Sequence, residues 1–122
     1  MNTALPAALV DIALVLVFVA IGRRNHDESS ALAGLVSTAW PFLGGLAVGW
    51  LAARAWRRPG GLVPEGIIVW LATVLVGMLL RAVSGQGTAL SFVLVATAVL
   101  GAFLLGWRAA WRAARPAVRA AA

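Results

Sequence analysis

The sequence predicts an all-α fold: an integral membrane four-helix bundle with short loops and both termini in the cytoplasm. Composition is the first reason. Of 122 residues, 62% are hydrophobic and 11% are charged, whereas soluble domains have about 45–50% apolar and about 25% charged residues. Mean hydropathy is +0.95. A soluble fold of this length has too much surface for its volume to hide so much apolar area, and a bilayer serves as solvent for it. The second reason is that the apolar residues gather into four runs close to the roughly 20 residues a spanning helix needs. The third is that the cations, all ten of them arginines, fall at the ends of those runs.

The first run is Ala7 to Gly22, the second Leu32 to Ala53, the third Ile67 to Val83 and the fourth Ala89 to Trp107. Backbone groups in hydrocarbon must be satisfied within their own segment, so each run is predicted to be a helix. Soluble amphipathic helices would carry a polar face at helical spacing, and these runs have almost none. Short connections join them: "RRNHDESS", then "RRPGGLVPEG", then "SGQGT". Pro59, Gly60 and Gly61 break the second connection, and Pro64 suits the first turn of the third helix. Short links make successive helices antiparallel. Residues 1–108 therefore form one transmembrane domain. Residues 109–122 form a basic tail, predicted to lie as a helix at the lipid surface and to be interrupted at Pro116. The first run lacks a basic lead-in and a small-residue cleavage site, and is expected to stay in the mature chain.

Orientation follows from the arginines. Arg54, Arg57, Arg58, Arg108, Arg112, Arg115 and Arg119 flank one side and Arg23, Arg24 and Arg81 the other. The richer side is expected to be cytoplasmic. Trp56, Trp107 and Trp111 fall at the same boundary, with Trp70 one turn inside it, where indole rings find both lipid and a polar partner. The two arginines that follow the first run argue for the opposite orientation, and the count over the whole chain outweighs them.

Several polar residues stand where hydrocarbon penalises them. Asp11 lies about one turn into the first helix, where a carboxylate costs up to about 2.5–3.5 kcal/mol. At that depth its candidate partners are Arg54 and Arg108. Asp11 is half of a structural ion pair, a proton- or cation-coupling group, or an end residue that snorkels outward with no role of its own. Arg81 lies only 14 residues' length from the predicted start of its helix, so its guanidinium either snorkels outward or turns into the bundle. It shares its side with Arg23, Arg24, His26, Asp27 and Glu28. That cluster suits an anion or lipid phosphate, or else neutralises itself through Asp27 or Glu28. In "STAWPFLGGLAVGW", Pro41 removes a backbone donor and frees the carbonyl of Ser37. A kink is expected there, with the Ser37 and Thr38 hydroxyls re-satisfying the backbone. Gly45 and Gly49, beside Gly44, make a small-residue seam, either within the chain or between copies.

These stretches together ("DIALVLVFVAIGRRNH", "TAWPFLGGLAVGW", "GMLLR" and "LLGWR") resemble a family of small actinobacterial membrane proteins catalogued as a domain of unknown function. The resemblance runs from Asp11 to Arg108. It implies a four-span integral membrane protein and places Asp11, Arg23, His26, Pro41, Arg81 and Arg108 in the family pattern, with no activity attached.

Two function classes follow. One is a small-solute or ion transporter or channel acting as a homo-oligomer, since four short helices enclose little interior. It is similar in size and span count to the small multidrug-resistance exporters and to the fluoride channels, but has no tyrosine for the exporters' aromatic cage. The other is a non-catalytic accessory or lipid-interacting subunit of a membrane complex. An enzyme is not expected. The chain has no cysteine and no lysine, a single histidine, and no paired carboxylates within a span, so acid–base or nucleophilic chemistry has few candidates. No cofactor, metal or nucleic acid is implied, because the +6 charge is spent on membrane flanks. The expected partners are the lipid of the plasma membrane, further copies of the chain, or another membrane protein.

Overall fold

The structure is a computed structural model and describes residues 3–23 and 31–121. The expected all-α architecture is present, with no strand among the described residues. Helix α1 covers Ala4–Arg23, α2 Ala31–Ala53, α3 Ile67–Val83 and α4 Leu90–Ala121. Four helical segments are long and apolar enough to cross a membrane, making this a membrane-embedded multi-pass chain.

Two boundaries differ from the sequence expectation. The third span begins earlier, at Leu62, where a kinked turn over Leu62–Gly66, with Val63 extended at φ −126° and ψ 123°, leads into α3. Pro64 lies in that turn, after a cis peptide bond from Val63. The fourth helix is much longer than its apolar run. It is 32 residues long and continues through position 116 instead of being interrupted there. The tail is rich in alanine and arginine, both strong helix formers, and these carry it onward.

The helices run alternately up and down. Around the bundle the order is α1, α2, α3, α4, with α4 closing back on α1. The most extensive helix pair is α2 with α3, and glycine is the reason. A Cβ at Gly45 would lie 2.8 Å from the Thr73 carbonyl oxygen and 2.9 Å from that of Ala72. At Gly49 it would lie 2.9 Å from the Val69 Cα. Lipid gives apolar faces no reason to prefer each other over acyl chains, so close backbone approach and the dispersion it permits decide which faces meet. The Gly45–Gly49 seam is thus an intramolecular contact.

Inward positions recur at helical spacing. On α1 they are Ala7, Asp11, Val15, Phe18 and Val19. On α4 they are Ala96, Leu100, Leu104 and Arg108. Phe18, Phe42 and Phe92 meet on the side towards Arg81, with Phe18 and Phe42 edge to face at 5.5 Å between ring centroids. The outer faces are apolar as well: on α3, Leu71, Leu75 and Leu79 form an exposed stripe four residues apart. Hydroxyls inside the spans bond back to their own helix, Thr73 to the Val69 carbonyl and Thr97 to that of Val93, each at 2.7 Å.

Pro41 lies inside a continuous α2. The backbone it disturbs finds a different partner from the one expected. The carbonyl of Ser37 accepts from the Gln86 side-chain amide, at 3.0 Å, and that amide comes from the α3–α4 loop. The Thr38 hydroxyl accepts from Arg23.

Gly45→Ala is expected to destabilise the detergent-solubilised protein by about 1–3 kcal/mol through overpacking of the α2–α3 seam. Gly22→Ala serves as control, since a Cβ there meets nothing within 4 Å, and it should unfold no more easily than wild type. Denaturant titration followed by helical circular dichroism measures both.

Candidate functional site

The inward stripes of α1 and α4 carry one charge each, and the fold brings those charges face to face. Asp11 and Arg108 are both fully buried, at 0% exposure. The guanidinium meets the carboxylate in the two-pronged arrangement that suits its planar fork. Nη1 donates to Oδ1 at 2.9 Å and Nη2 to Oδ2 at 2.8 Å. Two indoles complete the shell. Trp50 Nε1 donates to Oδ2 and Trp107 Nε1 to Oδ1, each at 2.8 Å. A carboxylate offers about four lone-pair sites, and here each oxygen accepts twice.

Arg108 is equally well provided. Its Nε donates to the Pro59 carbonyl at 3.1 Å, and Nη1 also donates to the Leu104 carbonyl at 3.0 Å. Its guanidinium lies over the Trp107 ring, 4.6 Å from the centroid, a placement that adds cation–π attraction. The Pro59 contact ties the α2–α3 connection to the pair. Gly66 leaves room beside the Arg108 stem, where a Cβ would approach Cδ to 3.0 Å. Every helix or its adjoining connection therefore contributes to one buried, net-neutral cluster. A buried ion pair compensates its desolvation only when the geometry is good and further hydrogen bonds satisfy both partners, and this one meets both conditions.

The other candidates fall elsewhere. Arg54 does not reach Asp11. It is exposed and ends α2 in the left-handed region, at φ 50° and ψ 49°. Arg23 and Arg81 lie at the opposite end of the bundle, where both line one cavity. His26, together with Arg24, Asp27 and Glu28, lies outside the described residues. Pro41, Gly45 and Gly49 face the interior of the bundle.

Sequence reasoning missed three parts of the site. Trp50 follows Phe42 and Leu46 at intervals of four on α2 and carries a donor at the depth of Asp11, the one signal in the sequence for its role. Trp107 reads as a boundary indole in need of a polar partner, and only the fold shows that this partner is the Asp11 carboxylate. The Pro59 carbonyl had no signal of its own. A further carboxylate, Glu65, is also buried, with Arg58 Nη1 3.8 Å from its Oε2 and no hydrogen-bond partner for Oε1. Among the described residues, no group of three or more His, Cys, Asp or Glu could hold a metal ion.

A family model described as "Protein of unknown function (DUF3054)" matches residues 8–111. The chain belongs to the DUF3054 family. The matched DUF3054 region takes in the second and third spans, most of the first and fourth, both members of the buried pair and both indoles. No curated protein matches the chain, and no solved structure does. For this DUF3054 chain, chemistry has to be read from the geometry. A carboxylate with every acceptor site used, buried beside a guanidinium with four bonds made, is a latch between helices.

Removing one partner leaves the other charge buried and alone. Asp11→Ala or Arg108→Ala should each cost about 3–5 kcal/mol. The double variant Asp11→Leu/Arg108→Met should cost far less than the two single changes added together. Trp50→Phe and Trp107→Phe remove one donor each to a charged acceptor, worth about 1.5–3 kcal/mol. A double-mutant cycle on unfolding free energy checks the set.

Proposed function

We propose that the protein is a non-catalytic, non-conducting accessory subunit of a plasma-membrane complex. The observation that supports this reading is the saturated shell around Asp11. A proton- or cation-coupling carboxylate in a membrane has to exchange its partner with water or solute, and so faces a cavity or a wet path. Asp11 has no exposed surface and is absent from the linings of three cavities formed by the described residues. The Phe18, Phe42 and Phe92 rings fill the bundle further along its axis. A conduit assembled between copies of the chain would have to be lined by the outer faces of the spans, and the Leu71–Leu75–Leu79 stripe offers such a path nothing polar. In this reading the termini face the cytoplasm, and the basic extension of α4 lies at the anionic inner surface.

Proteoliposomes carrying the purified chain are expected to pass protons and small ions no faster than protein-free liposomes. Isolation in mild detergent is expected to bring a larger membrane partner with it. Flux that saturates, and that Asp11→Asn abolishes while helix content is unchanged, would overturn the proposal in favour of a transporter. Recovery of the chain as a lone self-associated species would remove the accessory role.

A further inference from the structure

We infer that the end of the bundle opposite Asp11 carries a binding site for a phosphate oxyanion, built around Arg23 and Arg81. The inference is independent of the function proposed above. Both arginines line a cavity of about 410 Å³ to which all four helices contribute. The other polar groups on its wall are Ser37, Thr38 and Gln86, while Phe18, Val19 and Phe92 supply an apolar floor.

Charge and unused donors carry the argument. Among the described residues, neither Arg23 nor Arg81 has a carboxylate within ion-pair distance; the ion pairs formed there are Asp11 with Arg108 and Glu65 with Arg58. Arg81 is instead held in place by uncharged groups. Its Nε and Nη2 donate to the Gly87 carbonyl at 2.9 and 2.6 Å, and Nη1 donates to Gln86 Oε1 at 2.9 Å. Its guanidinium lies over the Phe92 ring, 4.5 Å from the centroid. Three of its five N–H donors are thereby used. Arg23 uses one, from Nη1 to the Thr38 hydroxyl at 3.3 Å. Two cations with N–H groups to spare line one part-enclosed cavity at the edge of hydrocarbon, where an uncompensated charge is costly. Guanidinium forks favour a tetrahedral oxyanion, which accepts from both at once, and the hydroxyls of Ser37 and Thr38 supply further donors. Two further cavities differ sharply: their walls are almost wholly apolar.

Two sources can supply this chemistry: the phosphodiester of an anionic phospholipid, whose glycerol and first methylenes would rest on the aromatic floor, or free inorganic phosphate. The same experiment separates them. The full chain in mild detergent is titrated with phosphatidylglycerol, with phosphatidylcholine, or with inorganic phosphate against chloride at equal ionic strength. The thermal midpoint is followed, and native mass spectrometry counts retained lipid. Phosphatidylglycerol is expected to raise the midpoint and stay bound while phosphatidylcholine does not. Arg23→Gln/Arg81→Gln should weaken that binding by at least about tenfold, since two charge-assisted contacts are lost. Stabilisation by inorganic phosphate alone would uphold the oxyanion site and assign it the soluble ligand. Gly22→Leu guards against misfolding of the double variant. Gly22 lines the cavity, and a Cβ there meets nothing within 4 Å, so the leucine fills the site with both arginines in place and should abolish binding. Absence of any shift with either ligand, or a shift unchanged in Arg23→Gln/Arg81→Gln or in Gly22→Leu, overturns the inference. So does binding seen only after Asp27→Asn/Glu28→Gln, because the chain's own acids would then be the counter-charge.

Discussion

The Asp11–Arg108 pair is the constraint on which the arrangement of the four helices depends. In water, a bundle of this size would be organised by the burial of apolar surface. In lipid that drive is largely absent between helices, because acyl chains solvate leucine as well as another leucine does. What discriminates one rotation of a helix from another is then the small set of groups that hydrocarbon will not accept. Asp11 is one such group and Arg108 another. Once they meet, the rotations of α1 and α4 are fixed, because each charge lies on its helix's inward stripe. Trp50 extends the constraint to α2, and the Pro59 carbonyl extends it to the connection that leads into α3.

The second organising contact is of a different kind. Along α2 and α3, Gly45 and Gly49 let the two backbones come within touching distance, and what is gained there is dispersion between closely packed atoms. The two devices divide the work. The ion pair selects which faces are inward, and the glycine seam sets how near two of the helices lie. The aromatic trio fills the bundle further along its axis, towards Arg81. Pro41 fits the same logic. The backbone acceptor it frees is taken by a side chain from a distant loop, so a local defect in one helix becomes a tie to another.

The ends of the bundle differ in their electrostatics. At one end, within the Asp11 cluster, the charges are matched and buried: carboxylate, guanidinium and indoles leave the cluster neutral. At the other, Arg81 is oriented by a loop carbonyl, an amide and a ring, none of which carries a negative charge. Neutral acceptors position a guanidinium without neutralising it, and that is the physical difference between a latch and a receptive site.

The sequence by itself determined the class of this protein, the number of its spans and the identity of its awkward residues. These are local properties: bilayer thickness sets the length of an apolar run, and the energetic penalty on Asp11 is visible from its neighbours alone. Even Arg108 could be named as a candidate, because its depth followed from the length of its helix. Only the tertiary structure decided between Arg108 and Arg54, recruited Trp50 and Trp107 as donors, extended α4 through the tail and assigned the glycine seam to α3. Each of those outcomes depends on how one helix is rotated against another. Hydropathy is nearly uniform around α1 and α2, so their apolar pattern does not record that rotation. It emerges only when the hydrogen-bond geometry of partners 97 positions apart and the close fit of two backbones are satisfied together.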